Sequence, residues 1–130
     1  KIKFLTELKN KIHVDNLELI NTRVEFLRKE RLNYYDVVTA RAVTNMPVLT
    51  ELAMPLVKEN KYFIAMKGSN TEEIKTSKNA ISKMHGEIEE TNTFLLSQET
   101  GMRNIIKVKK LKETTINELR PYEKIIKKPY

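Results

Sequence analysis

The stretch from Tyr35 to Gly68 constrains the fold more than any other part of the chain. Two short apolar runs, each breaking into polar residues, are joined by about one helix-length of sequence. The first run is Tyr35-Asp36-Val37-Val38-Thr39-Ala40-Arg41, and the second is Tyr62-Phe63-Ile64-Ala65-Met66-Lys67-Gly68. Parallel strands need a crossover of about a dozen residues or more, usually a helix. Asn45 as cap and Pro47 in the first turn supply the start of one. The stretch therefore predicts a parallel β-α-β unit. Ligands of open α/β sheets sit outside the carboxyl ends of such strands. Arg41 and Lys67 fall at those two ends, so a cationic site is expected at the rim of the sheet.

The flanking sequence extends this unit. Ile2, Leu5, Leu8 and Ile12 recur at helical spacing and predict an amphipathic helix over 1–13. A turn at Asp15-Asn16 precedes a short strand over 17–20 and a short helix over 23–30. The first parallel strand is expected over 34–40 and the second over 61–67. The helix between them runs from Asn45 to Val57, with Leu49, Leu52, Ala53 and Leu56 inward and Pro55 kinking it or ending it early. Asn70 with Glu73 three residues on has the pattern of a capping box, opening a helix to about Met84 that Gly86 ends as C′ residue. Runs over 87–96 and 103–109, joined by a loop holding Gly101, predict an antiparallel hairpin at the sheet edge. The order is that of an α/β domain without its opening units. The expected division is a domain over 1–112 and a basic tail over 113–130.

Composition narrows the function classes. The 130 residues suit one domain with a real core. There is no cysteine, hence no disulfide framework and no thiolate metal site. His13 and His85 lack ligand spacing, so no metal is expected. No apolar run approaches the roughly 20 residues of a membrane helix. There is no signal-peptide stretch either, and a cytoplasmic location without membrane contact follows as the expectation. The net charge of +7 is uneven: from Arg103 to Tyr130 there are nine Lys or Arg against three Glu. A basic end on a near-neutral body predicts an anionic partner, most often nucleic acid. The alternative is a solvated terminal segment with no partner.

Several segments carry a resemblance. They are Asn21-Thr22-Arg23-Val24-Glu25, Tyr35 to Val43, Pro55-Leu56-Val57 leading to Phe63-Ile64-Ala65-Met66-Lys67-Gly68, Met102-Arg103-Asn104-Ile105-Ile106, and Arg120 with Lys127-Lys128-Pro129. In these the chain resembles the small-subunit ribosomal RNA guanine-N7 methyltransferases, the RsmG (formerly GidB) family. The resemblance implies a Rossmann-like class I methyltransferase sheet, N-terminally truncated, with a C-terminal antiparallel hairpin. It implies S-adenosylmethionine as cofactor, and as substrate a guanine N7 in the decoding-region loop of 16S rRNA, within the small ribosomal subunit. Val24 and Glu25 carry over as cofactor contacts. Arg41 carries over to the cofactor and reaction site, and Lys67 to the Lys at the next strand end. Arg103, Arg120, Lys127 and Lys128 carry over to basic positions that meet RNA. The whole protein is expected to be a monomer.

The sequence departs from the family pattern in two places. Its only glycines are Gly68, Gly86 and Gly101, so the glycine-rich cofactor loop is absent, as is the acidic strand end that holds the ribose. By the family pattern both belong upstream of Lys1. The strand at 17–20 is then left without a neighbour, with one apolar face open. Position 24 is Val where the family has Ala, and Pro121 to Ile125 lacks the Gly and Pro usual there.

The chemistry asks little of the residues. Guanine N7 presents a lone pair, so its methylation needs alignment and shielding and no general base. The N7 and O6 acceptors suit Arg41 or Lys67 as base-orienting donors. Two cations are unfavourable beside a sulfonium, so they are expected to face base or phosphate. Other readings stand beside these: Arg41 paired with Asp36 or Glu25, Lys67 as a solvated strand end, and Glu25 serving a helix dipole. Tyr34, Tyr35, Tyr62 and Phe63 read as packing residues, and Tyr122 and Tyr130 as stacking candidates. His13 and His85 read as helix-end cations. The competing function is a non-catalytic basic α/β module that binds RNA or the ribosome without cofactor.

Overall fold

The computed structural model describes residues 1–98 and 101–130, and it forms the crossover that the two apolar runs predict. In chain order the elements are α1 (Ile2–Lys11), α2 (Val24–Glu30), β1 (Tyr35–Arg41), α3 (Met46–Ala53), β2 (Val57–Lys67), α4 (Glu72–Thr76), α5 (Lys78–Lys83), β3 (Gly86–Ser97), β4 (Gly101–Lys110) and α6 (Tyr122–Lys127). The sheet order is β1-β2-β4-β3. β1 and β2 are parallel, and β4 is antiparallel to both β2 and β3. The hairpin therefore inserts its second strand into the sheet and leaves β3 at the edge. β3 in turn runs parallel to β1 and β2, so three carboxyl ends share one rim.

Side chains alternate between faces along each strand. Phe63 and Ala65 of β2 and Ile106 and Val108 of β4 bury one face against Met46, Leu49 and Ala53 of α3 and Ile81 of α5. On its far side α3 buries Val48 and Leu52 against Ile125 of α6, with Val24 and Tyr122 beside them. A helix covered on both sides has no solvated stripe, and every residue of α3 except Pro47 is buried. Asn45 caps it as predicted, its Oδ1 accepting the Val48 N–H at 3.1 Å. Pro55 ends it early, within the 3-10 turn Met54–Leu56.

Several expectations are corrected. Residues 17–20 form no strand: among the described residues no strand lies beside them, and Leu17 and Ile20 are exposed. α1 buries none of its residues. The helix expected over 70–84 divides at the buried Ser77, whose hydroxyl donates to the Ile74 carbonyl at 2.8 Å. The capping box is half made. Asn70 Oδ1 accepts the Glu72 N–H at 3.0 Å, but Glu73 turns elsewhere. The left-handed residue after α5 is His85, at φ 58°, and not Gly86. Gly86 is needed for packing: a Cβ there would lie 2.7 Å from Met54 Cε and 2.9 Å from Val108 Cγ1. Of the aromatic residues read as packing, Phe63 alone is fully buried, and Tyr34 is half exposed.

The basic segment over 113–130 folds back across α3. Glu51, inside α3 and 2% exposed, receives the Tyr130 N–H at 2.9 Å and the Arg120 guanidinium at 3.2 Å. Arg120 also donates to the carbonyls of Lys128 at 2.6 Å and Lys124 at 3.2 Å, and stacks on Tyr130. Arg28 of α2, equally buried, donates to the Glu51 carbonyl at 3.1 Å and to the Arg120 carbonyl. Burial raises the Glu51 pKa against these cations.

Lys110 is the other buried ion. It is fully buried at the end of β4, with Nζ donating to the Met54 carbonyl at 2.7 Å, Thr114 Oγ1 at 2.7 Å and the Val57 carbonyl at 3.4 Å. Burial lowers its pKa from 10.5 to about 8.

Two outcomes follow. Glu51→Ala removes the carboxylate shared by Arg120 and the Tyr130 N–H and the counter-charge near the buried Arg28, whose bonds to backbone carbonyls remain. It should cost up to about 3–5 kcal/mol in urea unfolding, whereas Glu51→Gln should cost less, and a loss below about 1 kcal/mol for Glu51→Ala contradicts the arrangement. For Lys110, the folded pKa lies below the unfolded one, so the unfolded chain holds the extra proton between them and stability rises with pH. Thermal unfolding from about pH 7.5 to about pH 10 should show that rise, and Lys110→Met should flatten it, by up to roughly 3 kcal/mol over the full window. Parallel profiles for the two proteins would remove Lys110 as its source.

Candidate functional site

Register decides which side chains meet at the carboxyl rim. Arg41 lies opposite Met66, and Met66 opposite Ile105. Lys67 lies opposite Asn104, and Asn104 opposite Thr93. Adjacent rows point to opposite faces, so Arg41 and Lys67 sit on neighbouring strand ends yet diverge. Arg103, opposite Phe94, returns to the face of Arg41. A cleft of about 650 Å³ opens at this rim, lined by Arg41, Lys67, Asn70, Phe94, Leu96 and Arg103 among others.

Arg41 is exposed and has neither hydrogen bond nor ion pair among the described residues. Its alternative reading as an ion pair is corrected. Asp36 is held by Lys58 at 3.3 Å and Lys61 at 3.6 Å, and Glu25 by Arg23. Ala42, next in the chain, is left-handed at φ 53° and turns the backbone away from the strand.

Lys67 is already engaged. Its Nζ lies 2.7 Å from Glu73 Oε2 and donates to the Thr44 carbonyl at 2.7 Å, with the side chain 14% exposed. Glu73 in turn accepts the Met46 N–H at 3.2 Å. The pair thus joins the end of β2 to the starts of α3 and α4, and it is neither a solvated strand end nor a free cation.

Asn104, buried at 1% exposure, donates to the Gly68 carbonyl at 2.6 Å and accepts the Thr93 hydroxyl at 2.6 Å. It fixes the turn after β2. The signal for it was a polar residue on the apolar phase of the alternation Asn104, Ile106, Val108. Phe94 was equally legible as an aromatic in a strand and carried no signal of its site until the register was known.

The other expected residues lie elsewhere. Val24 packs beside the α3–α6 core, and Glu25 borders a second cleft of about 320 Å³ with Arg23, Phe26, Lys29 and Tyr122, which shares no lining residue with the first. Arg103 is half-buried and donates to the Met102 carbonyl at 2.9 Å. Arg120 is committed to Glu51, while Lys127 and Lys128 are exposed on the last turn of the chain. Tyr130 stacks on Arg120 and Tyr122 on Arg23, so both rings already have cationic partners. His85 pairs with Glu118 at 2.6 Å. Among the described residues no cluster of His, Asp or Glu could hold a metal, and no helix is long and apolar enough to cross a membrane.

Spermidine synthase in complex with the transition state analogue AdoDATO has a TM-score of 0.55 at 18% identity, covering 96% of this chain and 44% of that one. Spermidine synthase from Thermotoga maritima gives 0.52 at 18% identity, covering 96% and 45%. The chain thus shares the α/β, Rossmann-like fold of these structures. Ribosomal RNA small subunit methyltransferase G of Oceanobacillus iheyensis is 43% identical over 117 residues, 88% of this chain and 49% of that protein. The protein of the same name from Bacillus subtilis is 39% identical over 117 residues, with the same coverage. The chain therefore spans about half the length of these relatives. A sequence model of the family described as "GidB: rRNA small subunit methyltransferase G" matches residues 1–106, and the chain belongs to that family.

Proposed function

We propose that this chain forms the substrate side of an S-adenosylmethionine-dependent methyltransferase acting on guanine N7 in the decoding-region loop of 16S rRNA. The observation that carries the reading is the unpaired Arg41 beside Arg103 in a cleft at the carboxyl rim. Two guanidiniums on one face suit a nucleotide, whose phosphate and base edge are both acceptors. The cytoplasm, the small ribosomal subunit as partner and a monomeric whole protein accord with it.

The rim also bears on the cofactor. Among the described residues lining it, the one carboxylate, Glu73, is spent on Lys67 and the Met46 N–H. A sulfonium finds no free anion there, whereas the amino-acid carboxylate of S-adenosylmethionine and the RNA phosphates find cations. The residues at the rim thus fit the carboxylate and the substrate, while Val24 and Glu25, which the resemblance assigns to the adenosine portion, lie away from it, Glu25 at a second cleft. Bound S-adenosylmethionine supplies an electrophilic methyl group, and guanine supplies the attacking lone pair.

The chain's own groups then position the guanine. Arg41 donates to O6 or to the flanking phosphate and leaves N7 open. Arg103 holds the neighbouring phosphate. Lys67 acts as a positioning residue, through Glu73 and the Thr44 carbonyl. N7 carries no proton, so no side chain here need act as a base. Arg120 shapes the surface from which Lys127 and Lys128 reach RNA.

Titration of S-adenosylmethionine into this chain tests the cofactor assignment: saturable binding, weakened about tenfold or more by Arg41→Ala, is the expected result. RNA binding without any cofactor binding would instead favour the basic module. Methyl transfer to 16S rRNA by a protein containing this chain, mapped by borohydride and aniline cleavage at N7-methylguanosine, should vary little in rate between about pH 6.5 and about pH 8.5. A bell-shaped profile would require a base that this reading does not contain.

A further inference from the structure

The hairpin β3–β4 carries a group that none of the above uses. Phe94, 36% exposed, lies directly opposite Arg103 and lines the same cleft as Arg41. It belongs to neither buried cluster. Directly opposed residues on one face of an antiparallel pair have Cβ atoms about 5 Å apart, so ring and guanidinium form one surface. Leu96, 56% exposed, extends its apolar side. On the far side of the cleft stands Arg41, whose side chain has no partner among the described residues.

Among the described residues lining the cleft, an exposed apolar ring stands with cations on two sides, and the carboxylate there, Glu73, is paired with Lys67. This surface matches the two halves of an unpaired nucleotide, a flat base and a phosphate. Bases splayed from loops are held by stacking on aromatic rings and arginine planes. We infer that Phe94 is the stacking platform for an unpaired RNA base at the rim, with Arg103 gripping the phosphate of the same nucleotide. This rests on the reading of the rim as the RNA side and adds the group that selects single-stranded over paired substrate. A base inside a duplex presents no open face to Phe94, so the platform places the target in a loop, bulge or frayed end.

The test uses the 130-residue chain and two oligoribonucleotides of one sequence, one single-stranded with a 2-aminopurine reporter and one fully paired. Phe94→Ala should weaken single-strand binding about 5- to 100-fold, remove the quenching of 2-aminopurine, and leave duplex affinity and salt slope unchanged. Phe94→Trp should retain single-strand binding, and Phe94→Leu, apolar but not planar, should not. Arg103→Gln should lower the salt slope by about one. Single-strand affinity unchanged in Phe94→Ala overturns the platform, and so does equal loss on both RNAs, or a wild-type chain that binds neither. Altered self-association in place of RNA affinity would assign Phe94 to contact with a second copy and overturn it likewise. The methyltransferase reading is judged separately, by methyl transfer: Phe94→Ala can leave RNA affinity intact in an enzyme that still methylates, and the platform can hold in a chain that transfers no methyl group.

Discussion

A single carboxylate in the middle of α3 ties the carboxy-terminal segment to the rest of the molecule. Glu51 is 2% exposed; its carboxylate accepts from Arg120 and the Tyr130 N–H, and its backbone carbonyl accepts from Arg28. The convergence comes from three regions distant in sequence: a helix before the sheet, the crossover helix, and the final turn. Removing a cationic partner would leave the buried Glu51 charge less compensated, which is more costly than losing an exposed ion pair. The outer layer over α3 is held as well by the apolar contact of Ile125 with Val48 and Leu52.

The rim works by a division of labour among its cations. Lys67 is consumed in holding the loop after β1 and the start of α4, which keeps the ends of β1 and β2 in fixed relation. Arg41 and Arg103 remain available because their rows face the other way. A positioned site needs both kinds: groups that bind, and groups whose only task is to stop the first kind from wandering. Asn104 extends the second kind across to β4.

Much of the fold was legible in the sequence because local signals were strong. The alternation in both parallel runs, the Asn45 cap and the Pro55 stop each rest on one physical cause, and each appears where expected. Family membership and sheet type were legible from the motifs around Arg41 and Lys67. The failures have causes of their own. Leu17 to Ile20 have strand-like chemistry, but a strand exists only beside another strand. Glu73 looked like a capping residue, and a lysine distant in sequence outcompeted the cap. The resemblance carries Arg120 over as an RNA contact; its pairing with the buried Glu51 is a tertiary contact that nothing local in the sequence reveals. That Phe94 and Arg103 share a face depends on the pairing of β3 with β4, which alternation alone does not specify.

The two buried polar residues of β4 have a consequence for folding fidelity. Asn104 stands near one end of the strand and Lys110 at the other, both on the face turned to α3 and α5, each satisfied by partners fixed elsewhere. A one-residue slip of β4 would expose this face and bury the alternate set, Arg103, Ile105, Lys107 and Lys109, beneath the helices. Apolar residues alone would resist such a slip weakly here, because Ile105 could replace Ile106. The amide and the ammonium make every alternative alignment electrostatically costly, at both ends of the strand at once. They act as the pins of a zip: the hairpin closes in one alignment, and the charges at its mouth are set by that closure.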